Sequence, residues 1–312
     1  MLGASIIICT RNRVADLRET LEAIGRTCVP AGLLCELIVV DNASTDGTAR
    51  LVQEYRLPNM PVRYVYEGQA GKGNAYNAGI AAARGQALLW TDDDVRPPPD
   101  WIAGMAGPIL RGEADAVAGG VRIAPHLVQP WMTVTERALL ASTEEIHPCA
   151  PMMIGANMAF AKAVLKHVPA FDRELGPGAL GFYEESLFTW QLLKAGCRLA
   201  ERLDLCVEHH PDPARISHES FLSTVTKYGR SLAYVEHHWE HRVHRAVHLR
   251  LWGRLLRLVV LRMVHRRTLS RVQAPPDWER SHTQGAAFFR QYLIERRRPR
   301  NYEQQGLVKK VF

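Results

Sequence analysis

The sequence predicts an α/β protein: an open, mostly parallel sheet flanked by helices, followed by a C-terminal helical extension. Two observations carry the fold class. Over residues 1–125, β-rich apolar runs alternate with segments of helical period in βαβαβαβ order. The runs are apolar at consecutive positions, as in strands buried on both faces, and the order calls for right-handed crossovers. A third observation locates the site. Three runs stop at polar residues, and ligands of open α/β sheets bind outside the carboxyl ends of the strands.

The elements follow in order. "SIIIC" (5–9) reads as the first strand, ending at Thr10–Arg13. Residues 14–26 place Val14, Leu17, Leu21 and Ile24 at helical spacing. "ELIVVD" (36–41) is a second strand, ending at Asp41-Asn42. "STDGTARLVQEY" opens a helix that Ser44, Thr45 or Asp46 is able to cap. "VRYVYE" (62–67) is a third strand. "KGNAYNAGIAAARG" is an Ala-rich helix with Gly85 as its stop, and "ALLWT" is a fourth strand running into Asp92–Asp94. Beyond it, "PPPDW" (97–101) turns into a helix and "DAVAGGVRI" (115–123) reads as a strand. Residues 126–150 are irregular, and "MIGANMAF" (153–160) reads as a strand or strand edge. "YEESLFTWQLLKAG" (183–196) is a helix closed by Gly196, with strand-like pieces in "RLAERLDLCVEHH". Residues 1–240 thus form the main domain, in two parts, 1–125 and 126–240.

From 241 the character changes. The helix within 242–267 carries Trp252, Leu255, Leu256, Val259 and Met263 on one side and Arg250, Arg254 and Arg257 opposite. It either packs on the domain with a solvated basic face or lies on an anionic membrane surface. The basic residues near the C-terminus read as a mobile tail. The whole chain has 312 residues, 47% hydrophobic and 23% charged, and a net charge of +7. That is globular composition with a preference for anionic partners. Six scattered cysteines (9, 28, 35, 149, 197, 206) without a CxxC pair read as reduced thiols of a cytoplasmic protein. "MLGASIIIC" is a poor signal peptide and a good strand.

Asp92, Asp93 and Asp94 are either a solvated turn or a cation site. Their place after a buried strand favours the cation. Hard oxygen ligands suit Mg²⁺ or Mn²⁺, which commonly take one or two carboxylates plus substrate phosphates.

"SIIICTRNR", "LIVVDNASTDGT", "GKGNAYNAGIAAARG", "WTDDDV", "GANMAF" and "YEES" together resemble the family 2 glycosyltransferases, over roughly residues 4–210. The resemblance implies a GT-A fold, a Rossmann-like open sheet, and metal-dependent inverting transfer from a nucleotide-diphosphate sugar. UDP is the favoured nucleotide, with dTDP and GDP open. The acceptor is a hydroxyl of a saccharide, a lipid-linked saccharide or a small molecule, and nucleic acid is not expected. Thr10, Arg11, Asn12, Arg13, Asp41, Asn42, Gly71, Lys72, Asn77, Asp92 and Asp93 would hold the nucleotide sugar, with Lys72 or Arg84 on phosphate. Asp94, Asp92, His209 and His210 would serve the metal. Glu185, with Glu184 as fallback, would be the general base, since an inverting displacement needs one base opposite the leaving group. The processive Gln-x-x-Arg-Trp motif is not apparent, which points to single transfers. "GPGALG" (176–181) before the base reads as a lid. Peripheral attachment at the inner face of a membrane would follow if the basic helix lies on lipid. Two alternatives stay open. A sugar-phosphate nucleotidyltransferase would carry a glycine-rich first loop ending in lysine, which "CTRNR" lacks. A non-catalytic nucleotide-sugar-binding scaffold would not require Asp94 and Glu185.

Overall fold

The computed structural model describes residues 3–144, 151–269 and 272–310; Cys149 and the end of the irregular 126–150 stretch lie outside them. The first half follows the predicted order: β1 (Ala4–Thr10), α1 (Val14–Gly25), β2 (Cys35–Asp41), α2 (Thr48–Glu54), β3 (Val62–Tyr66), α3 (Lys72–Ala82) and β4 (Ala87–Asp92). Then come β5 (Val95–Arg96), α4 (Trp101–Leu110), β6 (Ala116–Ile123), α5 (Val134–Leu139), β7 (Met158–Ala161), α6 (Glu184–Lys194) and β8 (Leu199–His209). Four helices follow: α7 (His218–His238), α8 (Val247–Val264), the short α9 (Arg266–Leu269) and α10 (Asp277–Glu295).

The sheet has eight strands in the order β3-β2-β1-β4-β7-β6-β8-β5. Strands β3, β2, β1 and β4 run parallel, whereas β7 is antiparallel to both β4 and β6. The continuous apolar runs exist because both sheet faces are covered. Ile6 and Ile8 pack with Leu17, Leu21 and Met105 of α1 and α4; Ile7 packs on the other face with Tyr76 and Trp90. Gly79 explains why α3 is rich in small residues: a Cβ there would stand 2.7 Å from Ile7 and 3.1 Å from Trp90. The expected helix stop at Gly85 is corrected. Helix α3 ends at Ala82, and Gly85 is small because the β1 backbone passes 2.5 Å from where its Cβ would be.

The C-terminal segment is not a mobile tail. Asn301, Tyr302 and Lys309 are buried. Lys309 Nζ lies 2.7 Å from Asp172 and 2.9 Å from Glu174, while Tyr234 and Tyr302 donate to the other Asp172 oxygen at 2.6 and 2.8 Å. This cluster ties the C-terminus to the loop leading into α6. Removing one partner of a buried ion pair strands the other, at a cost of about 3–5 kcal/mol. Lys309→Met is therefore expected to lower Tm by roughly 5–10 °C, and an unchanged Tm in a thermal melt would refute this docking.

Helix α8 packs on the domain, but not with the solvated basic face that packing led one to expect. Its arginine side faces α10: Arg250 stands over the Phe289 ring at 5.4 Å, Arg254 reaches Ser281 at 3.3 Å, and Arg262 pairs with Glu279 at 2.6 Å. Val247 and Leu251 pack with Phe288 and Phe289 alongside them. The apolar stripe points outward. Helix α7, on the main-domain side of the predicted 240/241 boundary, joins the same cluster through Ala233.

Candidate active site

The polar ends of β1, β2 and β4 meet in one crevice because the three strands are neighbours in parallel register, with Thr10 opposite Asp41 and Cys9 opposite Asp92. Asn12, at φ 54°, accepts from the Thr45 amide at 2.7 Å and so ties the turn after β1 to the turn after β2. Arg11 beside it is exposed. Asn42 braces the next wall. Its oxygen accepts from the Gly71 amide at 2.8 Å, and its Nδ2 donates to the Gln69 carbonyl at 2.7 Å.

Asp93 and Asp94 are buried, Asp92 is half-buried, and all three are compensated within the chain. Arg13 Nη1 lies 2.9 Å from both Asp93 and Asp94. Thr10 donates to Asp93 at 2.7 Å, and Lys72 pairs with Asp92 at 3.0 Å. The sequence shows no cation next to the triplet before Arg96; folding delivers Arg13 from the turn after β1 and Lys72 from the start of α3. Burial, opposed by Arg13 and reinforced by Asp94, pushes the Asp93 carboxyl up to about 7. Burial also acts against the charge on Asp94, yet His209 and Arg13 outweigh it and hold that carboxyl well below the usual carboxylate range. The two neighbours are thus driven apart in protonation.

His209 Nδ1 lies 2.8 Å from the Leu140 carbonyl and Nε2 lies 3.3 Å from Asp94 Oδ2. The carbonyl accepts only, so Nδ1 carries a proton. Nε2 faces a carboxylate, so this buried pair needs a cation between the two groups, either the proton through which His209 holds Asp94 low or a metal ion. That donor set fits a divalent ion. Among the described residues no group of three or more His, Cys, Asp or Glu side chains gathers as a metal site. An ion here would draw its other ligands from a donor's phosphates and water, as Mg²⁺ and Mn²⁺ commonly do.

Two of the metal candidates, His210 and Asp92, are engaged by other partners. The His210 ring turns to Glu208 at 2.9 Å, and only its backbone amide reaches Asp94, at 2.8 Å to the carbonyl. Successive side chains of an extended segment point to opposite sides, so the doublet cannot place both rings on one carboxylate. Asp92 faces Lys72 on the side towards Glu185. Three nucleotide-site candidates also have partners within the fold. Arg84 sits at the opposite end of the sheet, where its amide donates to Glu36 at 2.8 Å. Asn77 is structural, exchanging hydrogen bonds with the Phe171 backbone at 3.0 and 2.9 Å. Asp41 is 1% exposed and already accepts from Ser44 N and Tyr64 Oη, each at 2.8 Å.

Across the crevice stands the α6 pair. Glu185 Oε1 accepts from Tyr76 at 3.0 Å and lies 3.4 Å from Lys72, which joins the acid-pair side to the triplet side. Glu184 is buried, and its Oε2 has no hydrogen-bond partner. Burial first, then the neighbouring Glu185, pushes the Glu184 carboxyl well above the ordinary range, which favours its protonated form. The "GPGALG" loop docks onto this corner. The Pro177 carbonyl accepts from Lys72 N at 2.8 Å, and Gly178 approaches Gly71 so closely that a Cβ would stand 2.8 Å from its Cα. Tyr76 and Tyr64 were not among the sequence candidates. Tyr76 was within reach, since it lies one helical turn from Lys72 on the same face of α3.

An α/β crevice at the ends of parallel strands, with an acidic triplet on one side and an acidic pair on the other, is that of the GT-A class. The mannosyltransferase PcManGT from Pyrobaculum calidifontis, solved with GDP-Man and Mn²⁺, superposes with TM-score 0.55 at 18% identity over 94% of this chain and 73% of that one. Glucosyl-3-phosphoglycerate synthase from Mycobacterium tuberculosis, solved with Mn²⁺, UDP and glucosyl-3-phosphoglycerate, gives TM-score 0.52 at 22% identity over 74% of this chain and 79% of that one. The family model described as Glycosyl transferase family 2 matches residues 5–168, and the chain belongs to that family. In sequence, glucosyl-3-phosphoglycerate synthase of Mycobacterium tuberculosis strain H37Rv is 34% identical over 119 residues, 35% of this chain. The matched stretch spans only about a third (34%) of that relative's length.

Proposed function

We propose that the chain is a metal-dependent, inverting glycosyltransferase that moves a sugar from a nucleotide-diphosphate donor to a hydroxyl acceptor. The observation that carries this reading is the Lys72 bridge, 3.0 Å from Asp92 and 3.4 Å from Glu185, which sets the candidate base and the acidic triplet in one crevice. In this reading Asp94 and His209 hold Mn²⁺ or Mg²⁺, and the ion supplies charge neutralisation for the diphosphate. Arg13 holds Asp93 and Asp94 in place, and Lys72 offers a second cation to the phosphates. Tyr76 and Lys72 fix the Glu185 carboxylate, which takes the proton of the acceptor hydroxyl. Glu184, protonated, leaves that role to its neighbour. The base subsite lies over Asp41 and Tyr64, and UDP is the proposed nucleotide. The acceptor is proposed as a saccharide, lipid-linked saccharide or small molecule.

Thermal melts with UDP, dTDP or GDP, each with and without Mn²⁺, test the donor side. UDP and Mn²⁺ together are expected to raise Tm more than the sum of their separate effects, because each completes the other's site. Additive or absent shifts for all three nucleotides would refute a shared metal–diphosphate site.

A further inference from the structure

The outward stripe of α8 has no role in the crevice. Among the described residues, Leu249, Trp252, Leu256, Val259, Val260, Met263 and Val264 are exposed large hydrophobics, with Trp252 and Leu256 each 65% exposed. At 100° per residue they fall within one arc of the 18-residue helix. Contiguous exposed apolar surface on this scale marks an interaction site. The opposite side is engaged by α10, so the stripe is not a mispacked core face.

The charge around the stripe selects its occupant. Residues 241–276 contain nine arginines and no aspartate or glutamate. Arg257 is exposed at the stripe's edge, and Arg266 is exposed just beyond its end. Two copies of this surface packed face to face would bring like charges together, which disfavours a homodimer. A plane of anionic lipid headgroups offers the complement: acyl chains for the stripe and phosphates for the arginines. No helix among the described residues is long and apolar enough to cross a membrane. We propose that α8 docks the chain on an anionic membrane surface, lying in its plane with the stripe buried below the headgroups. This inference does not depend on the reaction proposed above.

Cosedimentation of the full chain with vesicles tests it. Vesicles of equimolar phosphatidylglycerol and phosphatidylcholine are expected to bind at least about tenfold more protein than phosphatidylcholine alone, with binding weakened but not abolished by added salt. The double variant Trp252→Glu/Leu256→Glu is expected to lose about tenfold or more of that binding, while its Tm and its Mn²⁺-dependent nucleotide response stay unchanged. Trp252→Phe/Leu256→Ile, which keeps the stripe apolar, is expected to bind as the parent does. Equal partitioning on both vesicle types, or full binding by the glutamate variant, would overturn the proposal. So would a lipid-free dimer in sedimentation velocity that the glutamate variant abolishes, since a second copy would then be the occupant.

Discussion

Asp94→Asn is expected to lower kcat/KM for transfer by about 10³-fold, equivalent to roughly 4 kcal/mol of transition-state stabilisation. The substitution preserves shape but removes the anion that faces both His209 and Arg13. The proposed metal site then keeps one imidazole, and Mn²⁺ no longer enhances the nucleotide's effect on Tm. Two readouts must therefore fall together. A variant with parental kcat/KM, or one that keeps the Mn²⁺ response, would show that Asp94 does not hold the ion.

Glu185→Gln carries the second large effect. Removing a positioned general base costs typically 10²–10⁴-fold in rate, so kcat is expected to fall by about 10³-fold while donor affinity changes by less than about threefold. The neighbour sharpens this test. Burial favours the protonated form of Glu184, and glutamine imitates a protonated glutamate. Glu184→Gln is therefore expected to retain kcat within about threefold. The reverse pattern, with the Glu184 variant dead and the Glu185 variant active, would exchange their roles. Steady-state kinetics on the two variants with a common donor decides between them.

The parallel half of the sheet was legible because its physics is local. A strand covered on both faces must be apolar at successive residues, as "SIIIC" and "ELIVVD" are, and its polar terminus must face the crevice. The family resemblance added roles to positions such as Asp94 and Glu185 that composition alone leaves as acidic turns. What stayed hidden depends on contacts distant in sequence. Helix α7 buries Ser231, Glu236, His237 and His238, so its apolar period is blurred. Lys309 reads as part of a solvated basic tail until Asp172, 137 positions away, is seen to bury it. Strand β5 is two residues long and exists only through its pairing with β8. For α8 the helical wheel separates two faces correctly but cannot say which faces inward; Phe289 and Glu279 of α10 decide that by taking the arginines. The cations on the triplet belong to the same class, because Arg13 and Lys72 reach it only through the order of strands in the sheet.

The most direct measurement is an anomalous difference map, collected at the manganese edge, from a crystal of the chain grown with Mn²⁺ and UDP. One strong peak is expected between the Asp94 carboxylate and His209 Nε2, beside the bound diphosphate. A diphosphate bound in the crevice with no peak there, or a manganese ion bound away from Asp94, would contradict it.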